Sequence, residues 1–307
     1  MRIAYLLLAH DNPAHLVRLV NRLRSDGNYF FVHVDKKADF RNFFDVLGST
    51  VKFCSTRHDC AWGDISLVDA TLTLLYAALE EDVEFDYFVL LSGSCYPIQP
   101  REYIENFFYL NCEKEFIEAF PLPNVEFGKP ISRVSRFWFK KNRPFLYFKW
   151  RLQEIFHLLP IFRDYERGLL GARPMAGSQW WALSKNAVKY VLEFLRANPK
   201  FYEFCMYVDC PDELVFQTIL WNSPFMPNMS HSLTYTHWLK GKGGPEILDA
   251  MHLAALGSPI VLDSMRNNCP GEKREVLFAR KFSASNESLL DEVDRLVERK
   301  REVMHQA

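Results

Sequence analysis

Residues 86–98 read DYFVLLSGSCYPI, and the fold turns on how this stretch is read. Its first part is a near-continuous apolar run, the pattern of a strand buried on both faces of a parallel sheet. Its second part stops on Ser92, Gly93 and Ser94. In open α/β sheets ligands sit outside the carboxyl ends of the strands. An Asp-x-Asp pair at such an end would clamp a divalent cation on a sugar nucleotide, and Ser-Gly-Ser supplies no ligand for one. The stop is therefore either a ligand site without a metal or a tight turn.

The neighbouring sequence makes the run one strand among several. Residues 2–9 (RIAYLLLA) predict a first strand, and Pro13 opens a helix to about Ser25 with Leu16, Leu19, Val20 and Leu23 on one face. Residues 29–35 (YFFVHVD) predict a second strand. A short helix near 38–47 and a third strand at 50–54 follow. Residues 64–80 form the clearest helix, with Ile65, Val68, Leu72, Leu75 and Leu79 at spacings of three and four. Strand alternating with helix predicts an α/β fold with a largely parallel, Rossmann-like sheet flanked by helices.

Further on, residues 121–175 carry six prolines and no clean alternation, and predict a helical insertion rich in aromatic and basic residues. Within it, 136–162 is either a solvated basic face or a surface resting on anionic lipid. Residues 177–183 (GSQWWAL) predict a strand, Ser184 a helix cap, and Asp209 the start of a helix through Leu220. One domain over 1–307 is expected: a nucleotide-binding half (1–120), the insertion (121–175), and an acceptor and catalytic half (176–307).

Composition narrows the function. With 49% hydrophobic and 24% charged residues the chain can build a sizeable core. A formal net charge of -1 argues against a nucleic-acid partner. Seven cysteines, none in a Cys-x-x-Cys pair, point to a reduced chain without a zinc ribbon. The opening MRIAYLLLAHDNP is too short to cross a membrane and has no small-residue cleavage site, so a cytoplasmic location is expected, peripheral to the membrane if 136–162 rests on lipid. Asn228-Met-Ser and Asn286-Glu-Ser are then chance matches to a glycosylation pattern. A nicotinamide oxidoreductase would need a glycine-rich turn after the first strand, and AHDNPAH (9–15) has no glycine.

Several segments carry chemistry. Asp35, ending a strand, suits ribose hydroxyls or a base N–H, and equally starts a turn. Arg57, Trp62 and Gly63 precede the strongest helix, where a glycine permits close backbone approach and a helix N-terminus favours anions; ordinary packing explains them too. VDCPDELVFQTIL (208–220) reads as a capped helix start, or as a general base at Glu213. Asp212 and Glu213 point about 100° apart on a helix, which excludes an opposed carboxylate pair. Arg280 and Lys281 in VLFARKFS (276–283) either flank a pyrophosphate or snorkel from an amphipathic edge. THWLKGKGGPEIL (236–248), with Trp238, reads as a mobile basic loop.

Six segments in order, VHVDKK, WGDISLVDA, FVLLSGSCYPI, SQWWALSKNAVKYVL, PDELVFQTIL and LFARKFS, resemble the core-2/I-branching enzyme family of glycosyltransferases, family 14. That family contains branching β-1,6-N-acetylglucosaminyltransferases and peptide O-xylosyltransferases. The resemblance implies a GT-A-type domain, a UDP-sugar donor, inversion at the anomeric carbon and no cofactor or metal. It implies that Glu213 is the base, that Arg280 and Lys281 hold the donor diphosphate, and that Asp35 lies near the nucleotide. Gln179 and Trp180 then fall in the block that meets the acceptor. Ser92, Gly93, Ser94 and Trp238 are added as sugar- or acceptor-binding candidates. The expected partners are a UDP-sugar and a glycan or lipid-linked acceptor. A non-catalytic sugar-nucleotide or glycan-binding module of the same fold is the alternative.

Overall fold

Strand β1 (Ile3–Ala9) is buried at every position and lies between two parallel partners, β2 (Asn28–Val34) and, across the other edge, the strand Tyr87–Ser92. The computed structural model describes residues 1–139, 159, 161–239, 244–262, 274–283 and 287–306. β3 (Lys52–Phe53) extends the sheet beyond β2, and Tyr87–Ser92 is β4. Side chains alternate across a strand, and here they feed two cores. Ile3, Tyr5, Leu7 and Ala9 pack into one, and Ala4, Leu6 and Leu8 into the other.

The remaining strands are short: β5 (Tyr96–Pro97), β6 (Glu115–Phe116), β7 (Phe120–Pro121), β8 (Met175–Ala176), β9 (Ala182–Ser184), β10 (Met229–Ser230), β11 (Thr234–Thr236) and β12 (Phe278–Arg280). Among the described residues the main sheet has seven strands in the order β10-β6-β9-β4-β1-β2-β3. Only β9 in it runs antiparallel to its neighbours. A separate ribbon, β11-β12-β5, sets β12 antiparallel to β5, and β7 pairs with β8. The expected largely parallel α/β sheet is therefore present.

Helix α1 (Pro13–Leu23) starts where Asn12 accepts the His15 N–H and Pro13 occupies the first turn. It buries the expected face, Leu16, Leu19, Val20 and Leu23. Each such side chain stabilises the fold by roughly 1.5–3 kcal/mol on transfer from water. With α2 (Phe40–Leu47), α4 (Arg101–Leu110) and the closing helix Glu287–Gln306 it covers the first core. Between them in the chain, α3 (Ser66–Leu79) and the later helices Lys185–Ala197, Pro199–Cys205 and Val215–Trp221 cover the second.

Two expectations need correction. The strand expected over 177–183 shrinks to Ala182–Ser184, because only these residues pair with β4, while Trp180 is used elsewhere; Ser184 does cap the next helix, accepting the Ala187 N–H at 3.2 Å. The single helix expected from Asp209 is two pieces, a 3-10 turn at Pro211–Glu213 and an α-helix at Val215–Trp221. Cys210 precedes the turn at φ 51° and no side chain caps it, so the capping pattern in the sequence is not used. Most of the aromatic and basic stretch 136–162 lies outside the described residues, as do Lys240 to Gly243, Cys269 and Asn286. No described helix is long and apolar enough to cross a membrane.

One glycine fastens the two cores' edge to this turn. Gly177 donates its N–H to the Glu213 carbonyl at 2.9 Å, and a Cβ there would lie 1.8 Å from the Glu118 carbonyl oxygen. Gly177→Ala forces the backbone apart and is expected to destabilise the fold by about 1–3 kcal/mol. Denaturant unfolding checks this, and an unchanged midpoint would contradict the close approach.

Candidate active site

The parallel register brings three strand ends to one edge. The Asp35 N–H donates to the Ala9 carbonyl at 2.8 Å, and the Gly93 N–H to the Leu8 carbonyl at 2.7 Å. Ser92 and Ser94 close the turn with their hydroxyls 3.0 Å apart. A Cβ on Gly93 would make only ordinary contacts with Ala9, so packing alone does not demand a glycine here. Ser94 also reaches the far end of the chain: its carbonyl accepts the Phe282 N–H at 3.1 Å. The segment holding Arg280 and Lys281 is thus docked on the stop that ends DYFVLLSGS.

Arg280 is half-buried, with its guanidinium 4.5 Å from the centre of the Trp180 ring, a cation–π contact. Its Nε is enclosed without a hydrogen-bond partner. Burial pushes the guanidinium below its usual range, while Cys95 and the Glu213 carboxylate act on it in the opposite sense. Lys281 is exposed, and its carbonyl accepts the Leu248 N–H at 2.9 Å.

Glu213 is held by two cations that the sequence did not single out. Its Oε2 accepts Lys129 Nζ at 2.6 Å and Arg133 Nη1 at 2.9 Å. Lys129 closes a tight hairpin with Asn124, whose backbone it pairs in both directions. Pro130 ends that hairpin, and Arg133 follows on α5 (Ser132–Ser135), buried and 3.6 Å from Asp209. Burial pushes the Glu213 carboxyl up, but Lys129 and Arg133 together outweigh it and hold the group below the usual carboxylate range. The depression comes from these ion pairs and not from a helix N-terminus. No sequence signal marked Lys129 or Arg133: two basic residues four apart beside a proline read as surface.

The loop between β3 and α3 joins the strand edge to the turn that carries Glu213. Lys37 Nζ donates to Asp59 and to the Cys60 carbonyl, both at 2.5 Å, and lies 3.1 Å from Asp35. Asp35 is buried, and its Oδ1 also accepts the Lys37 N–H. Gly63, at φ 63°, accepts the Cys210 N–H at 3.3 Å, and Trp62 beside it is 74% exposed. Arg57 spends its guanidinium on the carbonyls of Val34, Asp35 and Ala38, which fixes the end of β2. Gln179 has an enclosed, unpartnered Nε2, and Trp238 donates to Thr236 Oγ1 at 3.1 Å. Asp35, Ser92 to Ser94, Trp180, Glu213 and Arg280 are connected by these contacts. Among the described residues no three His, Cys, Asp or Glu side chains are grouped so as to hold a metal ion.

A family model described as Core-2/I-Branching enzyme matches residues 3–255. The chain belongs to this glycosyltransferase family. Xylosyltransferase 2 of Rattus norvegicus is 27% identical over 253 residues, covering 79% of this chain and 27% of that protein. Xylosyltransferase 1 of Homo sapiens is 25% identical over 254 residues, covering 79% of this chain and 24% of its own length. The chain thus spans about a quarter of the length of these curated relatives. Among solved structures, a putative glucose-1-phosphate thymidylyltransferase from Bacillus anthracis in complex with sucrose overlaps 65% of this chain and 78% of its own at 13% identity, with a TM-score of 0.30. Glu213, Lys129 and Arg133 lie inside the family match, whereas Arg280 and Lys281 lie beyond it.

The Glu213 ion pairs have a measurable consequence. A carboxyl depressed in the folded state contributes stability above its unfolded pKa, lost as pH falls through the folded value. Lys129→Met removes one cation, so burial weighs more and the folded pKa rises. Acid unfolding is expected to begin at higher pH than in the wild type, as followed by circular dichroism. Superimposable acid transitions would contradict the pairing.

Proposed function

We propose that this chain transfers a sugar, GlcNAc or xylose, from a UDP-sugar to a hydroxyl of a glycan or glycolipid acceptor, with inversion and without a metal. The observation that carries this reading is that the Glu213 carboxylate acts electrostatically on the enclosed Arg280 guanidinium, whose segment is docked through Phe282 on Ser94 of the strand-end stop. A carboxylate kept ionised can accept a proton, and a cation enclosed with an unused N–H can receive an oxyanion. The xylosyltransferase relatives favour a pentose or a close analogue as the sugar.

On this reading the nucleotide lies along the edge that carries Asp35, and the diphosphate against Arg280 and Lys281. Glu213 takes the proton from the acceptor hydroxyl as its oxygen attacks the anomeric carbon from the face opposite the leaving group. The bond to the diphosphate breaks with both electrons, and UDP leaves with the added charge. Arg280, fixed on Trp180, stabilises that charge more in the transition state than in the ground state. Serine hydroxyls at the strand end, in place of acids, add no negative charge beside Arg280.

Glu213→Gln preserves shape and removes the base. It is expected to keep UDP binding and to lose transfer by roughly 100-fold or more, within the range for a removed general base. UDP release from UDP-xylose and UDP-GlcNAc with an acceptor panel checks this, and retained turnover would overturn the assignment. UDP binding with no release on any acceptor, in the wild type, would instead indicate a binding module. Transfer is also expected to persist in excess EDTA; loss of activity that manganese specifically restores would overturn metal independence.

A further inference from the structure

We infer that Tyr96, braced by Asp294 of the closing helix, is a positioning residue for the Arg280–Lys281 segment. This rests on the reading that those cations meet the donor diphosphate. Tyr96 is fully buried and touches that segment on both sides. Its backbone pairs with Ala279, the residue before Arg280, and its ring lies edge-on to Phe282, the residue after Lys281, with centroids 5.9 Å apart. β12 is three residues long and has little register strength of its own, so these contacts, together with its pairing to β11 and the Leu248 bond to the Lys281 carbonyl, fix where the two cations stand.

The phenol is fixed in turn. Its hydroxyl donates to Asp294 Oδ1 at 2.9 Å and accepts from Arg18 Nε at 3.2 Å, while Arg18 also donates to Asp294 Oδ2. Arg22 Nε stands 3.0 Å from the same carboxylate. Asp294 therefore ties α1, β5 and the closing helix at one point. A carboxylate between two guanidiniums and a phenol is a charge-assisted junction, stronger and more directional than neutral bonds. Asp294 lies beyond residue 255, where the family match ends, whereas Arg18, Arg22 and Tyr96 lie within it. The closing helix is thereby given a part in donor binding in addition to covering the core.

The test is UDP titration by calorimetry on the intact chain, with thermal unfolding run in parallel. Tyr96→Phe keeps the ring and removes the hydroxyl, and Asp294→Asn removes the charge from the other end of the same bond. Each is expected to weaken UDP binding by roughly five-fold, the size of one hydrogen bond lost. Lys281→Ala should weaken UDP as well, and Tyr96→Phe should cost less in that background than in the wild type, since one of the two cations it positions is already gone. Glu298→Gln, on the same helix and paired with Arg22 and Arg301, should bind UDP as the wild type does. Wild-type affinity in both Tyr96→Phe and Asp294→Asn would overturn the inference. So would an undiminished effect of Tyr96→Phe in the Lys281→Ala background. A wild type that binds no UDP would instead remove the functional reading, and this inference with it.

Discussion

The structure depends on β1 being paired in parallel on both sides. A strand with neighbours on each edge and a core on each face has no solvent-facing register to slip into, because a shift by one residue would exchange its two cores. Its register therefore places Ala9, Asp35 and Ser92 at the same edge, and backbone bonds from Asp35 and Gly93 back to β1 lock them there. Everything else in the site is attached to that edge. The loop bearing Trp62 hangs from Lys37, and the turn bearing Glu213 hangs from Gly63. The segment bearing Arg280 hangs from Ser94.

Charge is the second constraint. Burying an unpaired carboxylate is costly enough that the group would ordinarily neutralise, which is why burial alone pushes Glu213 up. Lys129 and Arg133 reverse the outcome, and Asp209 in turn faces Arg133. Among the described residues Arg280 has no comparable partner: its flat face is covered by Trp180 and its Nε is unused. On the proposed reading, this enclosed guanidinium with an unused N–H is a group that an oxygen of an anionic ligand would satisfy.

The parts legible in the sequence are those that local patterns determine. RIAYLLLA, YFFVHVD and FVLLS are predominantly apolar runs, and the helix after Pro13 repeats every three or four residues, so their type and order follow directly. The candidate site residues came only through family resemblance, since Glu213 and Arg280 each had a local explanation in a capped helix start and an amphipathic edge. What misled was also local. Asp209, Pro211 and Asp212 spell a helix start, but Cys210 takes a left-handed backbone to accommodate Gly63, and the helix breaks at Leu214. Lys129 and Arg133 were invisible because a hairpin and a proline, not a periodic element, bring them to Glu213. Contacts made by irregular segments leave no period to read.

The pairing of Glu213 has a consequence for how the proposed reaction divides its labour. A general base works best with a pKa near the working pH, and two cations move Glu213 away from that point. It is held in the correct charge state at the expense of proton affinity. A weak base suffices only if the acceptor oxygen becomes acidic late, after the bond to the leaving group has largely broken. That places the burden of catalysis on stabilising the departing diphosphate, the task assigned to Arg280 and Lys281. The positioning of β12 by Tyr96 and Asp294 then matters for more than affinity. Where charge develops most in the transition state, small errors in the placement of a cation have their largest effect on rate.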